Sequence, residues 1–130
     1  MRRLFVLLLT LVSIASPGLA DPVHGLWKTK PDDNGHYGHV RVQTCANGKI
    51  CGGLVTAFDP TGARVETDMI GRAIVWDMVP QGNGAYADGR VYAPDRDSTY
   101  NARMSLRGNT LGVSGCVAFI CRESEWTRVQ

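Results

Sequence analysis

Four cysteines are the residues of this chain whose number and spacing most directly predict chemistry. Cys45 and Cys51 are six positions apart, and Cys116 and Cys121 are five apart. Zinc sites usually carry close Cys-x-x-Cys pairs, so this spacing argues against a metal centre. If the chain is exported, as the signal at residues 1–20 described below predicts, an even number of cysteines indicates disulfides instead, with three connectivities open to four residues. We therefore expect two disulfides, formed in an oxidising compartment.

The histidines offer a second candidate metal site. His36 and His39 follow the aspartates at 32 and 33, and His24 lies upstream. Imidazole and carboxylate groups suit a transition metal, but the same composition is typical of a solvated loop. Residues 95–97 also combine two carboxylates, yet the ligand loop and terminal glutamate of an EF-hand calcium site are missing. We expect no metal at either place, and an aspartate-capped turn at residues 95–97.

Candidate nucleophiles and carboxylate pairs lack the surroundings that catalysis requires. No strand-to-helix elbow of the kind that presents a catalytic serine accompanies Ser105, Ser114 or Ser124. Glu123 and Glu125 share one face of a strand and could pair as acid and base, but glutamates so placed usually form the solvated side. We assign no catalytic residue and no cofactor, and an enzyme is the weakest of three functional hypotheses.

Residues 1–20 are typical of an export signal. Arg2 and Arg3 precede an apolar run over residues 4–15, and Gly18 and Ala20 are the small residues that a signal peptidase reads. The run is too short for a hydrocarbon core that needs about 20 apolar residues. We expect cleavage before Asp21, a mature chain without a transmembrane segment, and a periplasmic or secreted location.

Charge excludes one large class of partners. The chain has 14 basic and 12 acidic residues, and loss of Arg2 and Arg3 with the signal leaves equal numbers of each. A neutral mature chain lacks the positive field that binds phosphate backbones, so nucleic-acid binding is not expected. Residues 21–130 suit one small domain without a linker that could divide it.

The hydrophobic pattern of residues 21–130 has a period of two, which predicts strands. Residues 100–107 alternate apolar and polar side chains without a break. Clusters of Gly, Asn, Asp and Pro recur between such segments at short intervals and indicate turns. The pattern predicts an antiparallel meander of about eight strands, near residues 26–30, 38–45, 49–58, 72–79, 85–93, 98–107, 110–117 and 120–129.

A meander of this length must protect its edge strands. Closure into an up-and-down barrel removes the edges, whereas an open two-sheet sandwich is the alternative. We therefore predict an all-β fold, a single up-and-down antiparallel barrel of about eight strands.

Hairpin register narrows the disulfide pairing. If Ala118 and Phe119 form a two-residue connection, Cys116 lies opposite Cys121 at a non-hydrogen-bonded position. A three-residue connection at residues 47–49, with Gly48 at positive φ beside a bulge, would bring the other two cysteines together. We therefore predict the pairs Cys45–Cys51 and Cys116–Cys121.

Five segments resemble a known bacterial family. They are GLWKT at residues 25–29, CANGKICG at 45–52, GRVYAP at 89–94, LGVSGC at 111–116 and WTRV at 126–129. Their order and spacing are similar to those of the bacterial domain-of-unknown-function family 2147. The resemblance implies a small exported protein with a lipocalin-like (calycin-like) barrel and no established activity.

The wider resemblance to lipocalins implies structural roles for three residues. Gly25 and Trp27 match the lipocalin first-strand signature, and Arg128 matches the last-strand arginine that covers the tryptophan. Such an arginine stacks its guanidinium on the indole and closes one end of the barrel. The two residues are neighbours only if the barrel closes, so their contact is itself a prediction.

Large apolar side chains on the predicted inner face suggest a small-molecule site. Alternation puts Ile74, Trp76 and Met78 on one face, and Ala102 is the small inward residue beside which a void is expected. We predict a small, partly apolar ligand inside the barrel. The alternative is a filled barrel that serves as a structural or interaction module for another envelope protein. The predicted lining consists of Trp27, Trp76, Met78, Tyr100, Ala102, Met104 and Trp126.

Overall fold

The computed structural model describes residues 21–130, and the predicted signal at residues 1–20 lies outside this range. Within it, no helix is long and apolar enough to cross a membrane. The described chain forms strands β1 (Gly25–Lys28), β2 (Tyr37–Thr44), β3 (Ile50–Phe58), β4 (Arg64–Val65), β5 (Ala73–Gly82), β6 (Ala85–Ala93), β7 (Ser98–Arg107), β8 (Thr110–Val117) and β9 (Ile120–Arg128).

Eight of these strands close into one antiparallel barrel. β1 pairs with β2 on one side and with β9 on the other, and β2 also pairs with β3, so the ring is complete. β4 lies outside the ring, where its two residues pair with β3. The predicted closed meander is confirmed and the open sandwich is excluded. Alternation did not indicate β4 because two residues are too few to show a period.

Two facing bulges bend β5 and β6. Asp77 and Asp88 have positive φ angles of 58° and 61°. Near these residues the register shifts between β5 and β3 and between β6 and β7. An extra residue reverses the face to which the following side chains point. Met78 therefore points into the barrel while Trp76 does not. The predicted shared face of Ile74, Trp76 and Met78 is wrong, because alternation counts Asp77 as an ordinary strand position.

The two ends of the barrel receive different connections. Residues 21–24 and the turns that join β2 to β3, β5 to β6 and β7 to β8 lie at one end, which we call the closed end. The β1–β2, β3–β5, β6–β7 and β8–β9 connections lie at the other, which we call the open end. Alternate connections fall on opposite ends because successive ring strands are antiparallel.

Every strand of the ring contributes an apolar side chain to the core. Burial of such a side chain stabilises a fold by about 1.5–3 kcal/mol. The core therefore holds the ring together from inside, independently of the hydrogen bonds between strands. Its large, fully buried members are Trp27, Ile50, Met78, Leu111, Val23, Val40, Val42 and Val75.

One disulfide lies at the open end. Cys116 lies directly opposite Cys121 in the register of β8 and β9, with Cα atoms 4.1 Å apart. Val117 lies opposite Ile120, so the connection has two residues. Both the pair and its register match the hairpin prediction.

The other disulfide lies at the closed end, between Cys45 and Cys51. The Cys45 N–H donates to the carbonyl oxygen of Lys49 at 2.8 Å, which makes the connection residues 46–48, with Gly48 at a φ of 79°. Cys51 lies opposite Gln43, so the bridge is diagonal. The predicted pair is present, but the predicted connection at residues 47–49 is wrong by one position.

Candidate functional site

The closed end is plugged by the segment that precedes β1. Val23 is fully buried, and its N–H donates to the Asp21 carboxylate at 2.9 Å. The same carboxylate accepts a hydrogen bond from the Tyr86 hydroxyl of β6. Burial, and then the adjacent Asp21 carboxylate, raise the pKa of Tyr86 well above its ordinary value of 10.0. The segment is therefore part of the core.

Trp27 and Arg128 meet across the junction of β1 and β9. The Arg128 guanidinium carbon lies 4.3 Å from the centroid of the indole. The Trp27 Nε1–H donates to the carbonyl oxygen of Val23 at 2.9 Å. Arg128 donates to the carbonyl oxygens of His24 and Pro22 at 2.9 and 2.7 Å. Stacking and hydrogen bonds thus join the plug, the first strand and the last strand.

Gly25 completes the junction by having no side chain. Its φ is 147°, a conformation that other residues rarely adopt. A Cβ at this position would lie 2.7 Å from Nη1 of Arg128. A larger residue would therefore displace the guanidinium, and the structure brings together all three residues that the lipocalin resemblance singles out.

Five of the seven residues predicted to line a ligand site lie in the core. Each is at most 5% exposed. Side chains buried to this extent contact protein atoms on all sides, at the density of ordinary interiors. The five are Trp27, Met78, Ala102, Met104 and Trp126.

Two inward-facing glycines show how little space remains at mid-height. A Cβ on Gly52 would lie 2.8 Å from a methyl group of Val40 and 3.1 Å from one of Val75. A Cβ on Gly89 would overlap the Met78 side chain. Neighbouring side chains therefore already occupy the volume that even one methyl group would need.

The remaining two predicted lining residues lie elsewhere. Trp76 pairs with Arg90, whose exposed side chain donates to Oδ1 of Asn101 at 2.8 Å, and this places Trp76 on the outer wall. Tyr100 lies on the inner wall near the open end and is partly exposed. A Cβ on the neighbouring Gly115 would lie 3.5 Å from Cβ of Tyr100, an ordinary contact. The inner wall is thus less crowded near the open end.

Two concave surfaces lie outside the barrel. The first, of about 380 Å³, includes Lys28 on one wall and Glu123 on the other. It follows the seam between β1 and β9, which pair at only two positions. The second, of about 730 Å³, lies beside β3 and β4 and includes the exposed residues Val55 and Ile70. Neither surface includes a residue of the core.

Arg107 holds the two glutamates considered as an acid–base pair. Its Nη2 lies 2.5 Å from Oε1 of Glu123 and 4.0 Å from Oε1 of Glu125. The hydrogen bond that Arg107 donates to the Glu123 carboxylate raises the pKa of Arg107. All three side chains are exposed on the outer wall, where they form a surface ion network, and the two glutamates line the first concave surface described above.

The candidate metal ligands do not gather. His24 lies at the closed end, 2.8 Å from the Thr44 hydroxyl, whereas His36 lies in the β1–β2 loop at the open end. Asp97 accepts a hydrogen bond from the Tyr92 hydroxyl at 2.6 Å. Among residues 21–130, no three His, Cys, Asp or Glu side chains lie close enough to hold a metal ion.

His39 belongs to an aromatic group on the outer wall. Its ring meets the edge of Phe58, with centroids 4.8 Å apart, and Phe58 also stacks on Tyr37 at 4.9 Å. Burial, and then the charges of Lys28 and Arg64, lower the pKa of His39 below its ordinary value of 6.5. The protonated ring is therefore disfavoured in the folded protein.

The turn between β8 and β9 carries the most exposed apolar side chains of the described chain. Phe119 is 101% exposed, Ile120 74% and Val117 63%. Ala118 between them has a φ of 52°. Residues 117–120, which we call the apolar tip, are closed at their base by the disulfide of the open end. In the sequence, this turn indicated only the register of the hairpin. An apolar pair, Ala118 and Phe119, where a tight turn favours Asn and Gly, is the signal that could have pointed to this surface.

Comparison with known proteins places the fold. The structure is similar to that of protein HP1028 from the human pathogen Helicobacter pylori, which is described as belonging to the lipocalin family. The TM-score is 0.67 at 18% sequence identity, and the match covers 82% of each chain. No curated protein sequence matches the chain. The family model described as "Uncharacterized protein conserved in bacteria (DUF2147)" matches residues 25–128.

Proposed function

The chain belongs to this family of uncharacterised bacterial proteins, and from its geometry we propose that it is an exported, filled barrel that acts by surface contact. In this proposal the interior stabilises the fold and carries no ligand. The partner is bound at the outer surface, in the bacterial envelope or outside the cell.

The state of the interior is the observation that supports the proposal. Five of the seven side chains expected to surround a ligand are buried in one core cluster. Gly52 and Gly89 leave no room for a Cβ, and the concave surfaces described above lie outside the ring. A carrier of drug-sized molecules needs a pocket of about 300 Å³ or more, lined by inward-facing side chains.

Export is supported by two features of the described chain. Both cysteine pairs lie at disulfide-bonding positions, and disulfides persist mainly in oxidising compartments. The core begins at Val23, two residues after the proposed cleavage before Asp21. A mature chain starting at Asp21 would therefore keep the contacts described above for the plug.

Enlargement of Ala102 tests the proposal. In a filled barrel, Ala102→Leu should lower the free energy of unfolding by about 1–3 kcal/mol because the larger side chain overpacks the core. The wild-type protein should give no fluorescence increase with the apolar probe N-phenylnaphthylamine. Ala46→Leu, at an exposed turn position, is the matched control and should change neither measurement. Probe binding by the wild type, abolished by Ala102→Leu without loss of stability, would show a carrier.

A carrier remains the second candidate because of the inner wall near the open end. Tyr100 and Gly115 are partly exposed there, and the wall around Gly115 is less crowded than at Gly52. In that case a small, partly apolar ligand would enter from the open end and rest on Tyr100 and Ala102. A fluorescence increase of the probe with the wild-type protein that is lost in Tyr100→Ala would favour this function over the filled barrel.

A further inference from the structure

We infer that the apolar tip inserts into the surface of a phospholipid bilayer, with the open end of the barrel facing the membrane. The inference rests on the proposed function, since it names the partner of a barrel that acts by surface contact. It begins from a turn whose side chains the fold itself does not use.

The residues of the tip are not explained by the needs of the turn. A two-residue hairpin favours Asn and Gly because its central positions adopt positive φ. This protein uses that choice between β5 and β6, where Asn83 and Gly84 have φ angles of 55° and 78°. At the tip, Ala118 takes the unfavourable angle instead, and Phe119 is fully exposed. The apolar character of the turn therefore opposes the local preference of the backbone.

The tip is held in a fixed shape. Val117 and Ile120 face each other as the last pair of the β8–β9 ladder. The Cys116–Cys121 disulfide closes the next position down the hairpin. A rigid tip loses little conformational entropy when it is buried, so its exposed side chains are pre-organised for insertion.

The size and shape of the tip favour a lipid surface over a protein partner. The tip exposes on the order of 400 Å² of apolar surface, whereas a stable protein partner covers about 800 Å² on each side. A convex turn also lacks the flat or concave surround of such an interface. Ile70, another exposed apolar residue at the open end, lies in the β4–β5 connection across the ring. The apolar tip and Ile70 could both contact a flat surface that lies across the open end.

The charges of the open end leave the attachment to the apolar tip. The connections at this end are acidic overall, and Glu123, the acid that follows the tip on β9, is already paired with Arg107. Arg122 is exposed, but it lies opposite Gly115 and therefore on the inner-wall side of β9. Insertion of apolar side chains into the acyl boundary, and not attraction to phosphate headgroups, therefore carries the contact. The acidic residues of the connections are Asp32, Asp33, Asp59, Glu66, Asp68, Asp95 and Asp97, and the basic residues are Lys30, Arg64, Arg72 and Arg96.

Flotation with vesicles of phosphatidylethanolamine and phosphatidylglycerol tests the inference. We expect the wild-type protein to float with the vesicles. The double substitution Ala118→Gly with Phe119→Asn removes the large tip side chain and places glycine at the turn position that has positive φ, so the barrel stays folded. It should reduce the floated fraction about tenfold. Val129→Asn, which removes an exposed apolar residue at the closed end, is the matched control and should float like the wild type.

Three results would overturn the inference. They are a wild-type protein that stays in the buffer, a turn variant that floats as well as the wild type, and equal losses in the turn variant and Val129→Asn. Self-association abolished by the turn variant, with no flotation, would instead assign the tip to a second copy of the chain. If the protein does not float and does not bind the apolar probe, the inference fails but the proposed function stands. Binding of the probe inside the barrel contradicts the proposed function, whether or not the protein floats with the vesicles.

Discussion

The closed and open ends of this barrel each carry one disulfide within a hairpin, yet they place their apolar residues in opposite ways. At the closed end Val23 and Trp27 are fully buried beneath Arg128. At the open end Phe119 is fully exposed on a turn. The side chains that stabilise the fold and those available to a partner are thus separated along the barrel axis, so mutations should affect stability and contact independently.

The largest effect is expected from Trp27→Ala at the closed end. It removes a fully buried indole, its hydrogen bond to Val23 and the surface on which Arg128 stacks. We expect the free energy of unfolding to fall by about 3–5 kcal/mol, as measured by urea denaturation. The matched variant Tyr100→Ala, at the partly exposed inner wall of the open end, should cost about 1 kcal/mol. Equal losses would contradict the contrast between the ends.

A smaller effect is expected from Arg128→Ala. The substitution removes the cation over the indole and two hydrogen bonds to the plug. We expect a loss of about 1–2 kcal/mol of unfolding free energy. Arg128→Lys keeps the charge, but a lysine cannot stack a planar group on the indole or donate to both carbonyl oxygens in the same geometry. The lysine variant should therefore recover only part of the lost stability. Full recovery in the lysine variant would show that charge alone closes the barrel.

The smallest effects are pH slopes of opposite sign. The lowered pKa of His39 means that its stabilising contribution is present above its unfolded value of 6.5 and is lost as the pH falls below it. The raised pKa of Tyr86 means that its contribution is present below 10.0 and is lost as the pH rises above it. Denaturation at a series of pH values should show that His39→Gln removes the acid slope and Tyr86→Phe the alkaline slope. A slope unchanged by its substitution would contradict the assignment.

The fold was largely predictable because its periodicity is local. Alternation over residues 100–107 identified β7, and turn residues separated the ring strands at nearly the observed bounds. The Cys116–Cys121 pair followed from one turn length. The side of the sheet on which Trp76 lies could not be predicted in this way, because Asp77 adopts a left-handed conformation that the residue pattern does not reveal.

The candidate surface was harder to predict than the fold for a related reason. Alternation reports which side chains could point inward, but it does not report whether they fill the interior, as Met78 does beside Gly89. It also treats Phe119 as part of a connection, where exposure is expected. Only the three-dimensional arrangement shows that a phenylalanine at this turn contacts nothing in its own fold.

The junction at Arg128 has a consequence for the timing of folding. Its hydrogen bonds to Pro22 and His24 join residues 106 and 104 positions apart, while the hairpins of the ring join residues close in the chain. Contacts between distant residues form late, because a long loop must close before they stabilise anything. During synthesis β1 must wait for β9, which is made last. The hairpins can therefore assemble early and fast, and completion of the ring at this junction sets the time at which the molecule becomes native.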